Sequence, residues 1–158
     1  MDKDKFFMFE ALKEAKKAFD IDEVPVGCVL VHDNRIIARG HNQVEKLTDA
    51  TAHAEMICLT SGSAHFNDWR LEDTTLYTTL EPCIMCAGAI INARVKRVVY
   101  SAKDLRVGAN GSFIDVFKKK HPIHVVEIIS GVLEEISSDL LREFFQKARK
   151  SKLNKYIR

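Results

Sequence analysis

Five short runs rich in β-branched and apolar residues, separated by helical patterns or turns, constrain this 158-residue chain most. The run Val24-Pro25-Val26-Gly27-Cys28-Val29-Leu30-Val31 leads through Asp33-Asn34 to Arg35-Ile36-Ile37-Ala38-Arg39. Two such runs around a short Asp-Asn turn read as a β-hairpin. Thr74 to Leu80, Val95 to Ser101 and Val125 to Ile129 read as three further strands. From Lys3 to Phe19, the apolar residues Phe9, Leu12, Ala15 and Phe19 recur at three- and four-residue steps, the pattern of an amphipathic helix. Thr51 is placed to cap a helix through Ala52 to Leu59 that Gly62 would end, and Pro82 to open a helix carrying Cys83 to Asn92. A last helix is expected from about Ser138 to Lys152, with Leu140, Leu141, Phe144, Phe145 and Ala148 as its apolar stripe and both phenylalanines in the core. Helices alternating with strands predict an α/β protein whose sheet is covered on both faces.

The length suits one domain, residues 1–158, and a hydrophobic content of 46% with three prolines and seven glycines marks no stretch as a flexible linker. The opening segment mixes acids and bases through its apolar positions, so neither a signal peptide nor a membrane span is expected there, and the cytoplasm is the expected location. A net charge of +2 argues against a surface dominated by phosphate binding, but the basic residues are unevenly placed. Lys118-Lys119-Lys120 and the run Lys147, Arg149, Lys150, Lys152, Lys155 and Arg158 lie in the last quarter, as an acidic polymer would need; a solvated helix face has the same pattern.

Two motifs carry the chemistry: His53-Ala54-Glu55 at a helix start and Pro82-Cys83-Ile84-Met85-Cys86 where a strand turns into a helix. Cysteines three apart on a helix share a face, and a positive helix end favours their thiolates. His53, Cys83 and Cys86 then supply three nitrogen or sulfur ligands, the usual protein share of a catalytic zinc with a fourth position left for water. Zinc lowers the pKa of that water to about 7, and Glu55 beside it could shuttle the proton. Two other readings stand next to this one: a redox-active Cys-x-x-Cys pair, and structural zinc with Cys28 or Cys58 as a fourth ligand. Cys28 lies in an apolar strand and Cys58 five positions beyond His53, where both read as core. His32, His41, His65, His121 and His124 lack metal-like spacing and are expected at the surface or in hydrogen bonds.

The pair His-Ala-Glu and Pro-Cys-x-x-Cys resembles the cytidine deaminase superfamily. Within it, VPVGCVLV, TAHAEMICL and LYTTLEPCIMCAGAIINARVKRVVYSAKDLRVGANGS look like the bacterial tRNA adenosine deaminases, and the similarity runs on to LREFFQKARK. The resemblance implies a three-layer α/β/α fold with a five-stranded mixed sheet and a homodimer. It also implies hydrolytic conversion of adenosine to inosine at the wobble position of a tRNA anticodon, chiefly in an arginine tRNA. It assigns one zinc per subunit to His53, Cys83 and Cys86 and proton transfer to Glu55. Asn42 matches an asparagine that hydrogen-bonds the flipped base, Val26 and Ala54 would help form its pocket, and Asp104 falls in a loop that touches nucleotides near the target. The basic last helix resembles an element lying along the anticodon stem-loop. A deaminase of a free base, and an RNA-binding subunit whose zinc is only structural, remain as alternatives.

Overall fold

The computed structural model describes residues 2–157; Arg158, counted above in the basic run, lies outside them. Strands β1 (Gly27–His32) and β2 (Arg35–His41) pair antiparallel across Asp33 and Asn34. The φ angles of these two residues, 47° and 62°, are those of the left-handed turn that matches the strand twist of a tight hairpin. On its other side β1 pairs antiparallel with β3 (Thr75–Leu80), and β3 continues in parallel to β4 (Arg97–Ala102) and β5 (Glu127–Ile129). The result is one five-stranded mixed sheet in the order β2-β1-β3-β4-β5, as the resemblance implied.

Helices cover both faces, α1 (Lys3–Asp20) and α5 (Glu134–Ile157) on one, α3 (Ala54–Phe66) and α4 (Ile84–Asn92) on the other. The alternation along β1 shows why. Val29 and Val31 join Phe7, Met8 and Ala11 of α1 in one core, while Cys28 and Leu30 point the opposite way to Ala54, Cys58 and Ile90. Both layers are therefore legible in a single strand of alternating, fully apolar character. Cys28 and Cys58 are buried neighbours within the second core, which settles them as packing residues there.

Several boundaries differ from the sequence expectation: β1 begins at Gly27 and not Val24, β4 at Arg97 and not Val95, β5 at Glu127 and not Val125, and both ends of α3 and of α5 are shifted. Gly62 does not end α3; it lies inside the helix, where a Cβ would come 2.4 Å from Leu30 Cδ2, so a larger residue would make the buried Leu30 side chain shift. The helix ends instead at Asn67, in the left-handed conformation at φ 52°, and its N-cap position is held by His53, whose side chain makes no capping hydrogen bond, and not by Thr51. Helix α5 begins four residues early, because Leu133 at φ 56° turns the chain and Glu134 and Glu135 suit the positive first turn, and it runs on to Ile157. Phe144 and Phe145 are only half-buried, with the Phe144 ring edge-on to Phe19 at 6.0 Å, and so stand at the margin of the core. A single helical turn, α2 (Val44–Leu47), adds to the elements expected from the sequence. Among the described residues no helix is long and apolar enough to cross a membrane.

Candidate active site

The parallel pair β3 and β4 ends beside the starts of α3 and α4, and the chemistry-bearing side chains of both motifs meet there. His53 is the cap residue of α3 and Cys83 that of α4, both in extended backbone, so each side chain stands ahead of a helix whose unpaired N–H groups give a positive end. Cys86 follows one turn into α4, fully buried. His53 Nδ1 lies 3.6 Å from Cys83 Sγ and 3.6 Å from Cys86 Sγ, and the three donor atoms fall within 4.8 Å of one another.

That spacing fits zinc. Nitrogen and sulfur ligands at ordinary zinc bond lengths on two corners of a tetrahedron stand roughly 3.6 Å apart. The charges agree with the geometry. Hydrogen bonding from Cys86, then from His53, pulls the Cys83 thiol down to about 4, while sharing with Cys83 and burial hold the Cys86 thiol up. The hydrogen bond to Cys83 in turn raises the His53 imidazole above its usual value. Such a cluster exchanges its protons for a cation. Cys28 and Cys58 do not enter the group, which leaves a three-donor set with an open side and not the closed four-ligand shell of a structural site.

Glu55 occupies the first turn of α3, 4% exposed, beside this cluster. Its Oε1 accepts a hydrogen bond from the Thr78 hydroxyl at 3.1 Å, and Oε2 lies 3.6 Å from Cys86 Sγ. Burial raises the affinity of the carboxylate for a proton; a cation held at the three donors would draw it back down. Thr78 gives no signal in the sequence beyond its place in a strand. Thr78 holds Oε1 of Glu55 and the Cys86 thiol donates to Oε2, a contact that is lost when that thiol gives up its proton to a metal.

A cavity of about 440 Å³ opens above the cluster, with His53, Glu55 and Cys83 among its lining. Val26, Asn42, Ala54 and Asp104, the four residues expected around a substrate, all line it. Asn42 Nδ2 donates to Val24 O at 3.2 Å and Oδ1 accepts from Val44 N at 3.3 Å, leaving the amide one further N–H and one further lone pair. Asp104 Oδ1 accepts from the backbone of Arg106 at 3.1 Å, which curls the loop and holds that carboxylate in place. Val24, Leu80, Asp104 and Arg106 also line an adjoining cleft of about 470 Å³ whose far wall carries Arg142, Phe145 and Arg149 of α5. The Arg106 guanidinium stands 5.9 Å from the Phe145 ring. The two phenylalanines expected in the core thus border the two openings, Phe144 the first and Phe145 the second.

Two buried carboxylates lie beyond the reach of sequence reasoning. Glu23, 2% exposed, accepts from the backbone of Glu45 at 3.2 Å and of Lys46 at 2.6 Å, tying α2 to the cavity wall. Glu81, equally buried, gathers the backbone of the opposite wall. The only sequence signal is position: Glu23 stands two residues before Pro25 and Glu81 one before Pro82.

A histidine and two cysteines around an open position, with a buried carboxylate beside them, define the class. Residues 1–102 match the family model for the cytidine and deoxycytidylate deaminase zinc-binding region, and the chain belongs to that family of zinc-dependent deaminases. Within it the similarity is more particular. The chain is 45% identical to the tRNA-specific adenosine deaminase of Bacillus subtilis (strain 168), over 96% of this chain and 94% of that protein. It is 52% identical to the chloroplastic tRNA(adenine(34)) deaminase of Arabidopsis thaliana over 90% of this chain, although it spans only 12% of that much longer protein. Among solved structures it superimposes, with a TM-score of 0.82 and 42% identity over 85% of this chain and 98% of the other, on one from work on A-to-I editing by tRNA:A34 deaminases at the wobble position of transfer RNA.

Proposed function

We propose that this chain hydrolyses the amine of adenosine to give inosine and ammonia at the wobble position of a tRNA anticodon, chiefly that of an arginine tRNA. The observation that carries the reading is a buried carboxylate beside a three-donor cluster at the base of a cavity that opens onto an arginine-lined cleft. Similarity to tRNA deaminases over nearly the full length of a bacterial relative supports it.

In this reading His53, Cys83 and Cys86 hold one zinc per subunit. When bound, zinc supplies Lewis-acid activation of water near neutral pH. Glu55 takes a proton from the attacking water at Oε2 and passes it to the ring nitrogen of the base; it then takes the proton of the hydroxyl now on the ring carbon and hands it to the amine, which leaves as ammonia while the carbonyl forms, and Thr78 keeps Oε1 from turning away. Asn42 offers its free N–H and lone pair to the edge of a base, and Val26 and Ala54 supply apolar walls. Asp104 and the arginines of the adjoining cleft meet the flanking sugars and phosphates, and the basic face of α5 follows the anticodon stem-loop.

Such an enzyme would work in the cytoplasm. A homodimer fits the outer face of α4, where Ile84 is 55% exposed and open space surrounds the position a Cβ would take at Gly88.

The test is incubation of the zinc-loaded protein with an arginine-tRNA anticodon stem-loop bearing a wobble adenosine, and separately with free adenine, adenosine, guanine, cytosine and cytidine. Inosine from the stem-loop alone is expected. Ammonia from a free base, with the stem-loop untouched, would assign the same cluster to a small-molecule deaminase.

A further inference from the structure

Glu81 is the residue between Leu80, the last of β3, and Pro82-Cys83. It is 2% exposed, yet among the described residues no lysine, arginine or histidine pairs with it. Its four acceptor contacts all come from one loop. Oε1 accepts from Asn110 N at 2.9 Å and Ser112 N at 3.3 Å; Oε2 accepts from Asp104 N at 3.0 Å and from the Ser112 hydroxyl. Gly108 rests on the carboxylate itself, where a Cβ would come 2.3 Å from Glu81 Cδ and 2.6 Å from Asp104 O. The main chain docks in the same place, Ala109 N donating to Pro82 O at 2.8 Å.

A carboxylate buried without a cation is costly, and backbone N–H donors are the means of making it tolerable. The cost is borne where the segment carrying Cys83 meets the loop carrying Asp104, Arg106 and Val107, all three of which line the cavity. A loop of this length with such exposed residues as Leu105 has little hydrophobic burial to hold it. Polar contacts hold it instead: four converge on the Glu81 carboxylate, beside the main-chain pairing of Cys83 with Gly108, the Ala109–Pro82 bond and the Tyr100 hydroxyl on Asn110 Oδ1.

We infer that Glu81 is a positioning residue that fixes the substrate rim, residues 104–112, at a set offset from the metal cluster, and so governs capture of an RNA-embedded base without taking part in proton transfer. The inference rests on the RNA-deaminase reading above for its consequence in substrate capture, and on geometry alone for its anchoring role.

The test is Glu81→Gln in the zinc-loaded protein. The amide keeps the shape but turns an NH₂ toward backbone N–H groups that need acceptors. Amide exchange at Asp104, Asn110 and Ser112 is expected to quicken about ten- to a hundredfold, the scale of one lost charge-assisted hydrogen bond, with amides of β3 and α4 unchanged. Zinc should stay at one per chain. The KM for the stem-loop should rise about tenfold while kcat stays within about threefold, the signature of a binding role. Gly108→Ala, which disturbs the carboxylate from the loop side with Glu81 intact, should give the same signature, and it decides the matter if Glu81→Gln does not fold. Unchanged exchange at the three amides would overturn the inference, and so would a collapse of kcat at constant KM. Exchange is read without substrate, so a wild-type protein inactive on the stem-loop would defeat the functional reading and leave this test standing.

Discussion

His53, Glu55, Cys83 and Cys86 hang from the first turns of two helices packed on the sheet, whereas Asp104, Arg106 and Val107 sit on a loop and Arg142 and Arg149 on an open face of α5. The first group shares its surroundings with the core: Ala54 and Cys86 are fully buried, and Ala54 packs with Cys58 and Ile90. The second has exposed neighbours, Leu105 at 79% among them. The difference follows from the demands on each. On the proposed function, three ligand atoms and a proton-transferring carboxylate would have to keep their places to a fraction of an ångström, which regular elements over a packed core can do. Recognition of a polyanion is spread over several charges and tolerates movement of each.

If the division holds, damage to the floor should abolish chemistry, and damage to the rim should weaken capture. The largest effect is expected for Cys86→Ala, which removes a buried ligand; metal analysis should find the zinc absent and the inosine assay no turnover above background. A variant that still held one zinc per chain and turned over would break the account of the floor.

Arg142→Ala with Arg149→Ala should leave zinc and kcat near wild type and weaken stem-loop binding about tenfold at moderate salt. Titrations at several salt concentrations should show a shallower dependence, by about 0.7 in log–log slope for each phosphate no longer neutralised. An unchanged slope would remove α5 from the RNA path.

The smallest effect lies away from both regions, in the tie between α1 and the sheet. Asp4 receives a two-pronged bond from Arg97, at 2.8 and 2.7 Å, and a hydrogen bond from Tyr77 at 2.8 Å. The Arg97 hydrogen bond, aided by Tyr77, holds the Asp4 carboxyl below its ordinary value of 3.8 against the opposing pull of burial. A carboxyl depressed in the folded state stabilises the protein fully above its unfolded value and loses that contribution as pH falls through the folded one. Asp4→Asn should therefore cost about 1 to 2 kcal/mol at neutral pH and flatten the stability curve below about pH 4, as urea unfolding across pH would show. A variant with the wild-type acid limb would show that the pair contributes nothing.

The same division explains what is legible in the sequence. His53, Cys83 and Cys86 can be read because metal ligands must be particular residue types at particular helical spacings. The strands of the sheet can be read because alternation along β1 has to satisfy two cores at once. Glu23 and Glu81 cannot, since a glutamate is ordinarily a surface residue and only the fold shows which loop N–H groups converge on it. Phe144 and Phe145 lie nearer the surface than their pattern suggests, because an apolar stripe on a helix does not say whether the surface it meets is closed core or the lip of a cavity. Gly62 misleads for a similar reason: it resembles a helix end, while in the fold it sits mid-helix against the tip of the Leu30 side chain.

The most direct measurement of floor against rim is made on one variant, Glu55→Ala, by recording bound zinc, stem-loop affinity and inosine formation together. The account predicts one zinc per chain, an affinity within about threefold of wild type, and turnover reduced by about 10² to 10⁴, the range for removal of a proton-transfer group. Normal turnover in that variant, or loss of zinc or of RNA binding along with activity, would contradict it.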